Sequence, residues 1–339
     1  MKIAEVRKLL QSCDADRLRL IIAEMYKAIP KRVKEEQALD DLIQNPVPGK
    51  RKAVKQPPPD MLDLETDALE FIDNAYAQHY LAPNRVVPQR ERPKWRFTAK
   101  RLCKQLRAAG EKPEDLELAS QLLEKLYRML CYSCSYVLFT AYDTFESVGI
   151  PQTDFFQRVL ELKSKQEPMP EFVGKALDLI LDAPVNRYTL PRQLVDILLE
   201  LLTIPDLKLR LVAECEKRLA SPRPSARPKK DAWSGDLSEY EWERRIHDLA
   251  KAGFRAYAAL GEFQEAITFF KKNYKERDRE VTLYVLLQML EENKRLDEWV
   301  AEYQIALKSG ISPRKGLREK YRALVDARVG GEERCAATA

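Results

Sequence analysis

Apolar residues recur at spacings of three and four along most of this chain, the period of a helix that buries one stripe. Ile3, Val6, Leu9 and Leu10 form the first stripe. Leu18, Ile21, Ile22, Met25 and Ile29 form the next, after Asp14 or Asp16, either of which can cap the second helix. A third helix, KRVKEEQALDDLIQ, should end at Asn45-Pro46, because the residue before a proline is pushed out of the helical region. The pattern resumes with a helix predicted over 61–81, carrying Leu64, Leu69, Ile72, Ala75 and Tyr76 on its buried side. Thr98 can cap a helix running to Ala109 and closed by Gly110, and Pro113 stands where the next should begin. That helix leads into CYSCSYVLFTAY, a stretch apolar on all sides that should lie at the centre of its domain. Pro151, Pro170 and Pro191 start three further helices, and Pro205 divides LVDILLELL from LKLRLVAECEKRL.

The pattern lapses in two places. Residues 47–60 and 221–236 are rich in proline and basic residues and offer few groups able to pack, so they read as linkers. They divide the chain into an N-terminal helical module (1–46), a middle helical domain (61–220) and a final helical region (237–329). Residues 330–339 read as a disordered tail. No run alternates β-branched and polar residues between hairpin turns, and glycine is scarce, with 11 residues against 20 prolines. The predicted class is all-α and multi-helical, with a repeat-like, solenoid-like C-terminal part.

The segment 247–274, HDLAKAGFRAYAALGEFQEAITFFKKNY, predicts two antiparallel helices meeting at Gly261. Ala252, Ala256, Tyr257 and Leu260 face Phe263, Ala266, Ile267 and Phe270 across that turn, and the pair must stack on something else to bury both apolar faces. Tyr257, Gly261, Phe263, Ala266 and Phe270 stand at the spacing of the tetratricopeptide repeat family, which the chain resembles over about residues 246–329. A second copy reads Leu290, Lys294, Leu296, Trp299 and Tyr303. It departs at the turn glycine and at the small crossing residue, where Trp299 should force its two helices apart. The resemblance implies a concave groove in which Lys251, Arg255, Tyr284 and Gln288 hold an extended peptide. It therefore implies a scaffold or adaptor with a protein or peptide partner. The variant of that family that grips a terminal carboxylate finds only Lys251 in place here.

Residues 1–46 resemble a poorly characterised bacterial helical family that begins with a leucine-rich helix pair, a Val-Lys-Glu turn (Val33-Lys34-Glu35) and a terminal Asn-Pro. They also carry the leucine pattern of the helix-extension-helix DNA-binding motif. Asp14-Ala15-Asp16 stands where that motif has glycine-lysine, and these acids would repel phosphate.

Charge adds a second candidate. The net charge of +5, from 58 basic and 53 acidic side chains, is mild, but nine basic residues lie between Arg85 and Arg107 against Glu91 alone. Arg90, Arg92, Lys94, Arg96, Lys100, Arg101 and Lys104, interleaved with Trp95 and Phe97, suit phosphate neutralisation combined with base stacking. The competing expectation is a solvated arm whose arginines pair with the acidic residues of the 60–73 helix.

Other chemistry finds little purchase. Cys131 and Cys134 form a C-x-x-C without a second such pair, the histidines are His79 and His247, and core packing explains the cysteines best. No phosphate-cradling loop, nucleophile elbow or zinc-protease motif appears, so neither catalysis, metal nor cofactor is expected. Six cysteines without a framework suit a reducing cytoplasm. No window is apolar enough for a membrane span or a leader.

Overall fold

The computed structural model describes residues 3–11, 13–30, 33–34, 39–44, 60–221 and 239–336. All the regular structure among them is helical, and none of these helices is long and apolar enough to cross a membrane. The chain forms two compact units, Met1–Asp60 and Met61–Ala339.

The first unit contains α1 (Ile3–Gln11), α2 (Ala15–Ala28) and α3 (Leu39–Gln44). Asp14 caps α2, its carboxylate accepting the Arg17 N–H at 2.8 Å. Much of the stripe the sequence assigns to burial is wet here: Leu9, Ile22 and Met25 are at least 54% exposed, and no residue of α2 is buried.

The second unit opens with α4 (Met61–Tyr76), α5 (Trp95–Ala109) and α6 (Leu116–Tyr132). α4 stops short of residue 81, where the chain turns through Gln78 at φ +58°. α5 begins at Trp95, so Thr98 lies inside it, and Pro113 lies in the turn before α6. The stretch 131–142 is not a central helix. α6 ends at Tyr132, and beyond it Leu138 and Phe139 turn inward while Tyr136, Val137 and Tyr142 are more than half exposed. Hydropathy alone cannot tell a buried helix from a loop anchored by two side chains.

Next come α7 (Thr144–Val148), α8 (Gln152–Gln166), α9 (Met169–Asp182), α10 (Pro191–Leu201) and α11 (Pro205–Leu219). Proline stands at or beside the first residue of each of α8 to α11, where its missing N–H costs nothing. Residues 222–238 fall outside the description. The chain continues with α12 (Glu239–Ala258), α13 (Phe263–Asn273), α14 (Arg279–Glu292), α15 (Leu296–Lys308) and α16 (Lys315–Ala336), the last reaching into the expected tail.

α12 carries two apolar faces. Leu249, Ala252 and Ala256 join one core with Phe155, Phe172, Leu177 and Leu211 of the preceding helices. Ala250 and Phe254 join a second with Phe270, Leu287 and Trp299. These positions fall on two sides of the helix about 150° apart at 3.6 residues per turn. Arg245 adds an ion pair to Asp182 of α9 at 2.6 Å. The helices before and after residues 222–238 therefore belong to one compact body. Gly261, at φ +83°, makes the turn between α12 and α13, and α12 and α13 form the most extensive helix pairing of the unit. Trp299 is fully buried and lies parallel to Tyr303, which stacks on Tyr321 of α16 at 4.4 Å.

Candidate functional site

A cleft of about 270 Å³ opens between α9 and α10 on one side and α12 and α14 on the other. Its floor is apolar: Leu177, Ile180, Leu181, Val195, Ala252 and Met289 each expose less than a tenth of their surface. Leu190, half exposed, stands at the mouth beside Pro191 and Val285.

The α10 wall is delivered by a pinned loop. Gln152, fully buried, donates to the Pro184 carbonyl at 3.0 Å and accepts the Asn186 N–H at 2.8 Å. Asn186 in turn donates to Asp143 at 3.2 Å. The Gln193 side chain then accepts the Leu190 N–H at 2.7 Å, closing the start of α10. A buried polar group with all its partners in place fixes geometry that apolar packing alone would leave loose.

The charges around the cleft neutralise one another. Arg255 of α12 binds Asp196 of α10 at 2.9 Å and Glu292 of α14 at 2.6 Å, and Arg192 pairs with the other oxygen of Glu292. The Arg255 side chain is only 14% exposed. Arg255, expected to grip a peptide, is therefore committed to tying three helices together, and it shapes the cleft from within. Lys251 stays on the rim, 3.8 Å from Asp248 and 5.5 Å from the Tyr274 ring centre. Burial raises the Asp248 carboxyl above its ordinary pKa, opposed only in part by Lys251, Arg244 and His247. Gln288 is exposed on the α14 side of the cleft. Tyr284 does not line the cleft; it lies under the Arg314 guanidinium, 4.4 Å away.

The repeat-like spacing thus brings Lys251, Arg255 and Gln288 to one cavity and leaves Tyr284 out. It misses the far wall entirely, because Leu177, Leu190, Arg192 and Val195 come from helices on the other side of the presumed linker. It also misses Gly253, at which a Cβ would lie 2.1 Å from Phe269 Cε1; this glycine is what lets α13 approach α12. A glycine inside an otherwise good helix was the available signal.

The basic segment comes apart in three dimensions. Arg90 and Lys94 both pair with Glu91, at 3.6 and 2.9 Å, and Arg92 donates to the carbonyls of Val87 and Asn84. Arg96 lies 4.9 Å over the exposed Phe97 ring, and Arg101 pairs with Asp67, one of the 60–73 acids, at 3.0 Å. Trp95, proposed for base stacking, is 5% exposed and stacks on Phe139 at 4.0 Å, so no base can reach its face. Lys100 and Lys104, which have no ion-pair partner among the described residues, line a separate hollow.

Cys131 lies in the last turn of α6 and Cys134 follows in the turn beyond it. Burial pushes the Cys134 thiol up to about 12 and Cys131 higher still, so both stay protonated and unreactive near neutral pH. Among the described residues no three His, Cys, Asp or Glu side chains gather as a metal would require.

Neither protein-family models, nor curated proteins, nor solved structures match this chain, so the case for any function rests on this geometry.

Proposed function

We propose that the chain is a non-enzymatic adaptor, and that the cleft between α9/α10 and α12/α14 takes an apolar anchor side chain from a peptide segment of a partner protein. In this reading the hairpin α12–α13 is a tetratricopeptide-like repeat and α14–α15 its degenerate copy, and their groove is closed on one side by the middle helices. One observation carries it: an open, apolar floor ringed by charges already paired with each other. Such a site repels a bare ion and favours an apolar group, whose full burial contributes about 1.5–3 kcal/mol. Lys251 and Gln288 are left on the rim to meet polar or acidic residues flanking the anchor. The free thiols of Cys103, Cys131, Cys134 and Cys215 suit residence in the reducing cytoplasm.

Single-strand nucleic-acid binding along Arg85–Arg107 is the weaker reading, since Trp95 is sealed and most of the cations are internally engaged. The adaptor reading is tested by selecting peptides from a displayed random library. Selected peptides should share an apolar residue, and their affinity, read by fluorescence anisotropy, should fall about tenfold or more when Ala252→Leu fills the floor. Peptides that bind Ala252→Leu and Leu190→Glu as well as the unaltered protein would show that the cleft is not the site.

A further inference from the structure

On the outer face of α5 a second concavity, about 600 Å³ in volume, lies against α8 and the turn that ends α7. Lys100, Lys104 and Arg107 reach it from α5, at the spacing that places them on one helix face. Arg158 joins them from α8, its Nη1 held 3.6 Å from the Cys103 sulfur between them. The turn at Gly149, φ +70°, brings its backbone beside the Lys100 ammonium: a Cβ there would lie 3.4 Å from Lys100 Nζ.

The carboxylates nearby are taken. Glu161 accepts from Arg107 at 3.2 Å and from Gln157 at 3.2 Å, and Glu111 on the rim pairs with Lys165 at 3.1 Å. Lys100, Lys104 and Arg158 have no carboxylate partner among the described residues. Elsewhere in this unit, cations that share a space are answered: Arg218 by Asp178 and Glu214, Lys163 by Glu124 and Glu167. Three unanswered positive charges around one hollow focus a positive potential there and repel one another until an anion enters.

We infer that this hollow binds a small phosphorylated molecule carrying at least two phosphoryl charges. Two lysines supply movable point charges, and the Arg158 guanidinium supplies a planar fork that matches a pair of phosphate oxygens. A nucleic-acid strand is disfavoured because no aromatic side chain lines the hollow to stack a base. The site shares no residue with the apolar cleft and stands or falls independently of the adaptor reading.

The test is isothermal titration calorimetry of the full chain with inorganic pyrophosphate at low salt. Three variants accompany it: Lys104→Gln with Arg158→Gln, Lys100→Gln alone, and Arg90→Gln with Arg96→Gln as a control that removes equal charge elsewhere on the surface. Saturable binding should weaken about tenfold or more in the first variant, measurably in the second and not at all in the control. Lys100→Gln, an exposed change, carries the test should the double variant melt early. Absence of saturable binding by the unaltered protein overturns the proposal, as does equal weakening by the control. So does a twelve-nucleotide oligothymidylate that binds more tightly than pyrophosphate and is lost in the control variant, since that outcome means a strand along Arg90–Arg96.

Discussion

In the apolar cleft, Arg192, Arg255, Asp196 and Glu292 neutralise one another around a hydrocarbon floor, whereas in the basic hollow Lys100, Lys104 and Arg158 face a shared space with no carboxylate to answer them. Both concavities lie in one unit and both are framed by packed helices. Their difference teaches that the number of charges near a site says little. What counts is which charges the fold has already paired, because a paired ion holds helices and an unpaired one is left for a ligand.

The comparison breaks first at Arg255. Arg255→Met leaves Asp196 without its cation and Glu292 with Arg192 alone, and should cost about 2–4 kcal/mol, read as a lowered urea midpoint. A cost within experimental error would mean that the cleft charges are not structural. Next is Gly253→Ala, whose added methyl meets the Phe269 ring; it should destabilise by about 1–3 kcal/mol despite the better helix propensity of alanine. Adding Phe269→Leu should recover part of that loss, and no recovery would place the strain elsewhere.

Asp248→Asn acts in the other direction and more weakly. The folded state favours the protonated Asp248, so its contribution to stability is present at low pH and lost as pH rises through its elevated folded pKa. The variant should therefore melt slightly higher than the unaltered protein near neutral pH, and the two should converge as pH falls below the ordinary aspartate value. Smallest is Lys104→Gln, in the hollow. Removing one of three mutually repelling cations should leave stability within about 0.5 kcal/mol of the original or raise it. A large loss there would mean that this lysine is as structural as Arg255.

The legible features were the local ones. The helical class, the Asp14 cap, the proline starts of α8 to α11 and the turn at Gly261 each follow from a few neighbouring residues. Periodicity reports that a face is buried but not what buries it. The stripe of Ala252 and Ala256 was legible, but the second apolar face of α12, Ala250 and Phe254, was not, nor that helices on both sides of residues 222–238 share one body. The same limit hid the cleft's far wall, some 60 to 110 residues away in sequence from Lys251 and Gln288. Charge density along the chain misled for a related reason. Of the basic run, Arg90, Arg92, Lys94 and Arg101 find partners once folded, and the cation that completes the hollow, Arg158, lies outside the run.

The account's central claim, that the cleft receives an apolar anchor, is tested most directly by a methyl-labelled spectrum of the full chain during titration with a library-selected peptide. Leu190 and Val195 report on the cleft, and Ile150 reports on the basic hollow. The account predicts that the Leu190 and Val195 methyl signals shift with peptide while Ile150 stays in place. A saturating peptide that leaves both cleft methyls unmoved would contradict it.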